Sequence, residues 1–300
     1  MILNQKIDLP ILNKKDVSLY IKREDLIHPL ISGNKFRKLK YNLVQLKAQG
    51  KNQLVTFGGA YSNHIAATAY AGNLKGVKTL GIIRGEELQY IWKENPTLEK
   101  AASNGMQFRF VSREAYKAAH RHVLLEALRE EIGDFYYLPE GGTNALAVRG
   151  CEEILTKDDS EFDIISCPVG TGGTIAGLIN AASPQQMILG FPALKEDFLM
   201  EDICKFVENS NWKLCREYHF GGYAKVNHEL VCFINEWSEK HALPLDPVYT
   251  GKMIFGLIDL IGKDYFKPKT KILAIHTGGL QGIHGMNQYL QKKNLPLLSI

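Results

Sequence analysis

Short apolar runs alternate along the chain with segments of helical period. Residues 54–57, Leu-Val-Thr-Phe, read as a strand that stops at Gly58-Gly59, and 62–74 follow as an Ala-rich helix capped by Ser62 or Asn63. The next strand is 79–83, a helix opens at Asn95-Pro96 with proline in its first turn, and 106–111 is again a strand. The pattern predicts a long helix of mixed charge over 114–132, a strand over 135–138 and a helix over 144–155. The second half repeats the rhythm, with strands at 162–167, 187–191, 212–218 and 271–276. Its helices are expected at 174–182, 197–209, 228–241 and 253–261, with a last one after Gly279. Strand–helix alternation of this kind implies a mostly parallel sheet covered on both faces. At least six buried-type strands in this order exceed one small sheet, so two α/β domains are expected. No fixed-period repeat and no Pro/Ser/Gly linker marks a boundary between them.

Four of the turns that follow strands are rich in glycine: Gly58-Gly59-Ala60-Tyr61-Ser62-Asn63-His64, Glu140-Gly141-Gly142-Thr143-Asn144, Gly170-Thr171-Gly172-Gly173-Thr174 and Thr277-Gly278-Gly279. In open parallel sheets, ligands sit outside the carboxyl ends of the strands, where these turns fall. The third turn is the strongest as chemistry. Its backbone N–H groups can point inward with no Cβ in the way, and the following helix adds the positive end of its dipole, which together suit a phosphate. The spacing is neither that of a P-loop nor G-x-G-x-x-G, since the sixth position from Gly170 is Ile175. A tight strand-to-helix turn that needs small residues explains the same glycines. Ser62 is an ordinary helix cap on its own evidence and is not in G-x-S-x-G, and a lone His64 is equally compatible with a structural role.

Composition removes other classes. Hydrophobic content of 45% against 23% charged residues excludes a disordered chain, and 27 Gly with 11 Pro exclude collagen-like sequence. Three hundred residues suit two medium domains or one large one. The net charge of +4, from 36 basic and 32 acidic residues spread along the chain, gives no footprint for nucleic acid or an anionic membrane. No window reaches the about 18 apolar residues of a membrane span, and Lys6 and Asp8 stand where a secretory signal would be apolar. Cys151, Cys167, Cys204, Cys215 and Cys232 are odd in number and widely spaced, as expected of reduced thiols in a cytoplasm rather than a disulfide frame or a metal site.

Gly33-Asn34-Lys35-Phe36-Arg37-Lys38-Leu39 resembles the lysine motif of the fold-type II pyridoxal-phosphate (PLP) enzymes, and more narrowly that of the 1-aminocyclopropane-1-carboxylate (ACC) deaminase and D-cysteine desulfhydrase family. Tyr20-Ile21-Lys22-Arg23-Glu24-Asp25-Leu26, Gly58-Gly59-x-x-Ser62-Asn63-His64, Gly170 to Thr174 and Asp246-Pro247-Val248-Tyr249-Thr250-Gly251-Lys252 match the same family in order, from about Tyr20 to Gly279. The resemblance implies a two-domain tryptophan synthase β-like α/β architecture with mostly parallel sheets. The larger PLP-binding domain would comprise 1–37 and 146–300, and the smaller inserted one 38–145. It implies that Lys35 carries PLP on its amine and, once released, moves the substrate's Cα proton. Asn63 would meet the cofactor's phenolic oxygen, Gly170, Thr171, Gly172, Gly173 and Thr174 its phosphate, and Lys38 would add a cation. Ser62, Asn63, His64 and Thr277 would line the substrate, and Ser62, Tyr223 and Tyr249 would join Lys35 in catalysis. Family members are commonly homodimers.

Two positions separate the branches of that family. ACC deaminases carry Glu after the motif tyrosine, where it partners the pyridine nitrogen, and Leu before the last glycine pair; here Thr250 and Thr277 stand in those places. A neutral hydroxyl leaves the ring a shallower electron sink than a carboxylate does. Opening a cyclopropane demands more of the ring than expelling thiolate from D-cysteine. The expected activity is therefore D-cysteine desulfhydrase-type elimination, with ACC deamination as the alternative and a non-catalytic binding protein of the same fold as the third reading.

Overall fold

The computed structural model describes residues 2–31, 33–195 and 198–299. Ser32, the residue just before the lysine motif, and Asp197, the expected start of a helix, lie outside them. The chain opens with β1 (Asn4–Ile7), α1 (Pro10–Lys15) and β2 (Ser18–Lys22), then α2 (Asn34–Ala48). It continues through β3 (Gln53–Gly58), α3 (Asn63–Lys75), β4 (Lys78–Arg84), α4 (Pro96–Ser103), β5 (Met106–Val111), α5 (Ala118–Ile132), β6 (Tyr136–Leu138) and α6 (Ala145–Glu152). Then come β7 (Ile164–Val169), α7 (Gly173–Ala181), β8 (Met187–Pro192), α8 (Leu199–Cys204), β9 (Trp212–Leu214), α9 (His228–His241), α10 (Thr250–Gly262), β10 (Lys271–Ile275) and α11 (Ile283–Lys292). Two sheets result. One has the order β1-β2-β10-β7-β8-β9, parallel except for β1, and the other is fully parallel with the order β5-β4-β3-β6.

Period-2 alternation sorts the core of the larger sheet. In β10, Ile272 and Ala274 join Leu19, Ile21, Ile254 and Leu257 on one face, while Leu273 and Ile275 join Ile165, Ile175, Leu178 and Ile179 on the other. Both faces are buried, as a parallel sheet requires. Helices α2 and α6 lie so close that a Cβ on Gly150 would stand 2.1 Å from the carbonyl oxygen of Arg37. Gly150→Ala must push these helices apart and lowers stability by about 1–3 kcal/mol. A chemical denaturation midpoint equal to wild type would refute this close packing.

Several boundaries differ from expectation for local reasons. Residues 114–117 form a turn instead of the start of α5, because the Ser112 hydroxyl accepts the N–H of Ala115 and the Ser112 carbonyl that of Tyr116. The strand expected over 212–218 stops at Leu214, and Tyr218 in the following short helix donates its hydroxyl to Asp259 at 2.6 Å. The helix expected over 197–209 is confined to Leu199–Cys204. Helix α10 starts at Thr250 instead of residue 253, since the Asp246 carboxylate accepts the N–H groups of Val248, Tyr249 and Thr250 at 2.8–2.9 Å. The pattern of the first thirty residues gave no strand, yet β1 and β2 border the sheet there. The five cysteines are all free thiols, and no helix among the described residues is long and apolar enough to cross a membrane.

Candidate active site

The four glycine turns noted in the sequence meet at one place. They follow β3, β6, β7 and β10, so the carboxyl ends of both sheets converge. The turn after β6 touches the turn after β7, since a Cβ at Gly141 would lie 2.7 Å from the Thr171 side chain. The turn after β10 touches the start of α3, where a Cβ at Gly279 would lie 2.7 Å from Asn63 Nδ2. Gly141 and Gly279 have φ of 66° and 100°, so conformation and space both call for glycine.

Helix α2 brings two lysines into this junction. Lys35 and Lys38 are three residues apart and share one face. Both ammonium groups donate to the carbonyl of Gly141, at 3.1 and 3.0 Å, and Lys38 also donates to Thr143 Oγ1 at 2.9 Å and to Thr171 Oγ1 at 3.4 Å. Burial, reinforced by the neighbouring charge of Lys38, pushes Lys35 well below an ordinary lysine, and burial also lowers Lys38. An amine held in this way is neutral often enough to act as a nucleophile and base.

Beside them lies the cradle of Gly170, Thr171, Gly172, Gly173 and Thr174, which leads from β7 into α7. Asn34 Nδ2 donates to Thr174 Oγ1 at 2.8 Å and ties the lysine helix to it. A Cβ at Gly173 would meet Thr143 Oγ1 at 2.8 Å and Lys38 Nζ at 3.2 Å. Bare backbone at the start of a helix, with a buried ammonium alongside, is matched to a phosphate. These residues fit the phosphate and aldehyde ends of PLP.

The far side is aromatic. The ring of Tyr249 stands 3.2 Å from the Cβ position of Gly170, and Tyr223 meets Tyr249 edge to face at 6.3 Å between centroids. Tyr223 is 42% exposed as a residue, yet its hydroxyl end is desolvated. Burial raises both phenols, Tyr249 well above its ordinary value with Tyr223 and Asp246 adding to the shift. Thr250 is fully buried. Its hydroxyl donates to Asp246 Oδ2 at 2.7 Å and accepts the Asp246 N–H at 2.9 Å. A carboxylate therefore backs the hydroxyl that the sequence presents as neutral.

The remaining expected residues divide. Ser62 Oγ caps α3 by accepting the N–H groups of His64 and Ile65, at 3.2 and 3.3 Å. Asn63 Oδ1 accepts from Gln281 Nε2 across the junction. Thr277 lies where α2 begins, its carbonyl accepting the N–H of Asn34 at 3.3 Å. His64 is enclosed. Thr56 Oγ1 gives its proton to Leu138 O and so accepts from His64 Nε2, at 2.8 Å each, which leaves Nδ1 to accept from Thr68 at 3.4 Å. Burial, with Lys35 and Lys38 nearby, lowers its pKa well below that of an ordinary histidine. It is a neutral prop behind Gly142, whose Cβ position is 3.0 Å from its ring.

Sequence reasoning passed over Gly141 as an acceptor, Thr143, Asp246 and Gln281. Gly141 acts through its backbone, which no side-chain motif announces. Asp246 was visible only as the first letter of its motif.

Comparison with known proteins gives the family. Residues 4–278 match the family described as pyridoxal-phosphate dependent enzyme. A Pyrococcus horikoshii protein provisionally named 1-aminocyclopropane-1-carboxylate deaminase is 32% identical, covering 88% of this chain and 85% of its own length. The mitochondrial bifunctional D-cysteine desulfhydrase/1-aminocyclopropane-1-carboxylate deaminase of Arabidopsis thaliana is 33% identical, with 89% and 73% covered. A solved structure described as an ACC deaminase homologue superposes with a TM-score of 0.78 at 29% identity, over 97% of this chain and 93% of that one. The α/β fold of parallel-dominated sheets is thus the fold-type II architecture, and the chain belongs to the pyridoxal-phosphate dependent enzyme family.

Proposed function

We propose that the chain is a PLP-dependent lyase that eliminates hydrogen sulfide from D-cysteine, with Lys35 as the residue that carries the cofactor. The observation that carries this reading is the buried Lys35 amine, which shares the Gly141 carbonyl with Lys38 beside the glycine cradle. When bound, PLP supplies the electron sink for the charge left on the substrate's Cα. Lys35 takes the Cα proton, its lowered basicity suiting it to both accept and return one. Lys38 and residues 170–174 hold the phosphate. Ser62, whose oxygen is occupied as a cap, keeps its hydroxyl proton for the substrate carboxylate, and Asn63 keeps its amide Nδ2–H for the cofactor's phenolic oxygen. Tyr249 is kept protonated by burial and, with Tyr223, gives a proton to the departing sulfur. One water enters and pyruvate, hydrogen sulfide and ammonia leave, so atoms balance.

The presence of Asp246 behind Thr250 favours a second reading, deamination of ACC to 2-oxobutanoate and ammonia. A carboxylate one hydrogen bond away restores part of the negative charge that a Glu at 250 would give. A panel of D- and L-amino acids plus ACC separates the two. Pyruvate with stoichiometric sulfide from D-cysteine, and pyruvate from β-chloro-D-alanine, are expected. Turnover of ACC alone would overturn the assignment. Two domains, 1–37 with 146–300 and 38–145, are part of the same reading. In support, β3 to β6 all fall within the second segment. A cytoplasmic homodimer completes it, for which sedimentation gives the oligomeric state.

A further inference from the structure

Lys252 is 1% exposed, and its ammonium is committed to main-chain carbonyls, those of His219 at 2.8 Å and Gly222 at 2.9 Å. These carbonyls flank a loop in an unusual conformation: Phe220, Gly221, Gly222 and Ala224 have φ of 53°, 95°, 119° and 54°. Left-handed backbone at non-glycine residues persists only where the surroundings hold it. The residue the loop presents is Tyr223, whose ring meets Tyr249. Tyr249 immediately precedes α10, and Lys252 lies in the first turn of the same helix. One helix start thus sets both rings, Tyr249 directly and Tyr223 through the lysine.

We infer that Lys252 is a positioning residue that clamps the 219–224 loop and so holds Tyr223 against Tyr249 over the glycine cradle. The inference rests on the proposed role of these tyrosines in the reaction. Burial brings the Lys252 ammonium down to about 8, which leaves it charged at neutral pH. An ammonium fits the task because it adds a second, charged donor to each of two carbonyls that already close the loop's own turns, His219 accepting the N–H of Gly222 at 3.0 Å and Gly222 that of Lys225 at 3.2 Å.

The test uses holoenzyme, with D-cysteine as substrate and amide hydrogen exchange as a second readout. Lys252→Met keeps the aliphatic stem and removes the donors. Cofactor absorbance is expected to be retained, exchange at 219–224 to rise about tenfold, kcat to fall about tenfold or more and KM to move less than about threefold. Added to Tyr223→Phe, the same change should cost less than about twofold more, because both act through one hydroxyl. Gly222→Ala provides the second variant should Lys252→Met not fold. A Cβ at Gly222 meets nothing within 4 Å, so it strains only the loop backbone, and the same selective loss of kcat is expected with the ammonium intact. Unchanged exchange at 219–224 in Lys252→Met, unchanged kcat despite faster exchange, or losses that multiply with Tyr223→Phe would each overturn the inference. Full activity of Tyr223→Phe would defeat the role proposed for that tyrosine, and exchange alone would then decide whether the clamp exists.

Discussion

Lys35→Ala is expected to lose at least about 10,000-fold in turnover on every amino acid the enzyme accepts, with the yellow absorbance near about 410–430 nm lost as well. The size of the effect follows from the surroundings of the amine. Burial and the charge of Lys38 depress Lys35 in particular, which sets it apart from the surface lysines. Lys38 cannot take over, because its three donors are engaged by Gly141, Thr143 and Thr171. The variant should stay folded, since the only hydrogen bond of the Lys35 ammonium among the described residues is the one to Gly141. Retention of more than about 1% of turnover by folded, cofactor-saturated Lys35→Ala would remove the basis of the proposed chemistry.

The largest loss of stability is expected away from the site, at Lys22. This residue ends β2 inside the larger sheet, and its ammonium meets both oxygens of Asp159 at 2.9 and 2.7 Å, the two side chains being 4% and 2% exposed. Asp159 also accepts from Asn4 Nδ2 and from the N–H and hydroxyl of Thr156. Burial alone would raise this carboxyl, but Lys22, Asn4 and Thr156 outweigh it and hold it below the ordinary aspartate value. Lys22→Met leaves the carboxylate in the interior without its cation, at a cost of about 3–5 kcal/mol. Asp159→Asn in that background should recover part of it, because the buried charge is gone. A depressed carboxyl stabilises the fold above the unfolded value of about 4 and loses that contribution as pH falls through its folded value. The acid limb of wild-type unfolding should therefore flatten in Asp159→Asn. Thermal midpoints of the single and double variants from pH 7 to pH 3 check both statements, and a Lys22→Met midpoint within about 2 °C of wild type would refute them.

The strand–helix rhythm from residue 53 onward was readable because buried parallel strands are short, apolar and punctuated by glycine. The β1-α1-β2 entry was not, since Lys6, Lys22 and Tyr20 interrupt its apolar runs and only pairing with β10 makes them a sheet. Within the site, the four glycine turns were identifiable one by one, whereas their convergence is a property of two sheets meeting end to end. Lys35 and Lys38 were found through a motif. What qualifies them chemically is burial against the Gly141 carbonyl, an acceptor that every residue possesses and no pattern marks. His64 shows the opposite case. Its place next to Ser62 and Asn63 suggested contact with substrate, but the threonines at 56 and 68 occupy both its nitrogens. Thr250 was informative by identity and incomplete without Asp246, four residues earlier, because the pairing exists only where the chain turns into α10.

The order of strands in the larger sheet also bears on how the polypeptide acquires its shape during synthesis. β10, which leaves the ribosome after the nine other strands described, inserts between β2 and β7. The smaller sheet is contiguous in sequence and can assemble as it emerges. The larger one holds its early strand unpaired on one side until residues 271–275 arrive. Long-range pairing of this kind is slow, and the open edge is sticky while it waits. A nascent chain stalled before residue 271 would thus carry a finished smaller sheet attached to an aggregation-prone half-sheet.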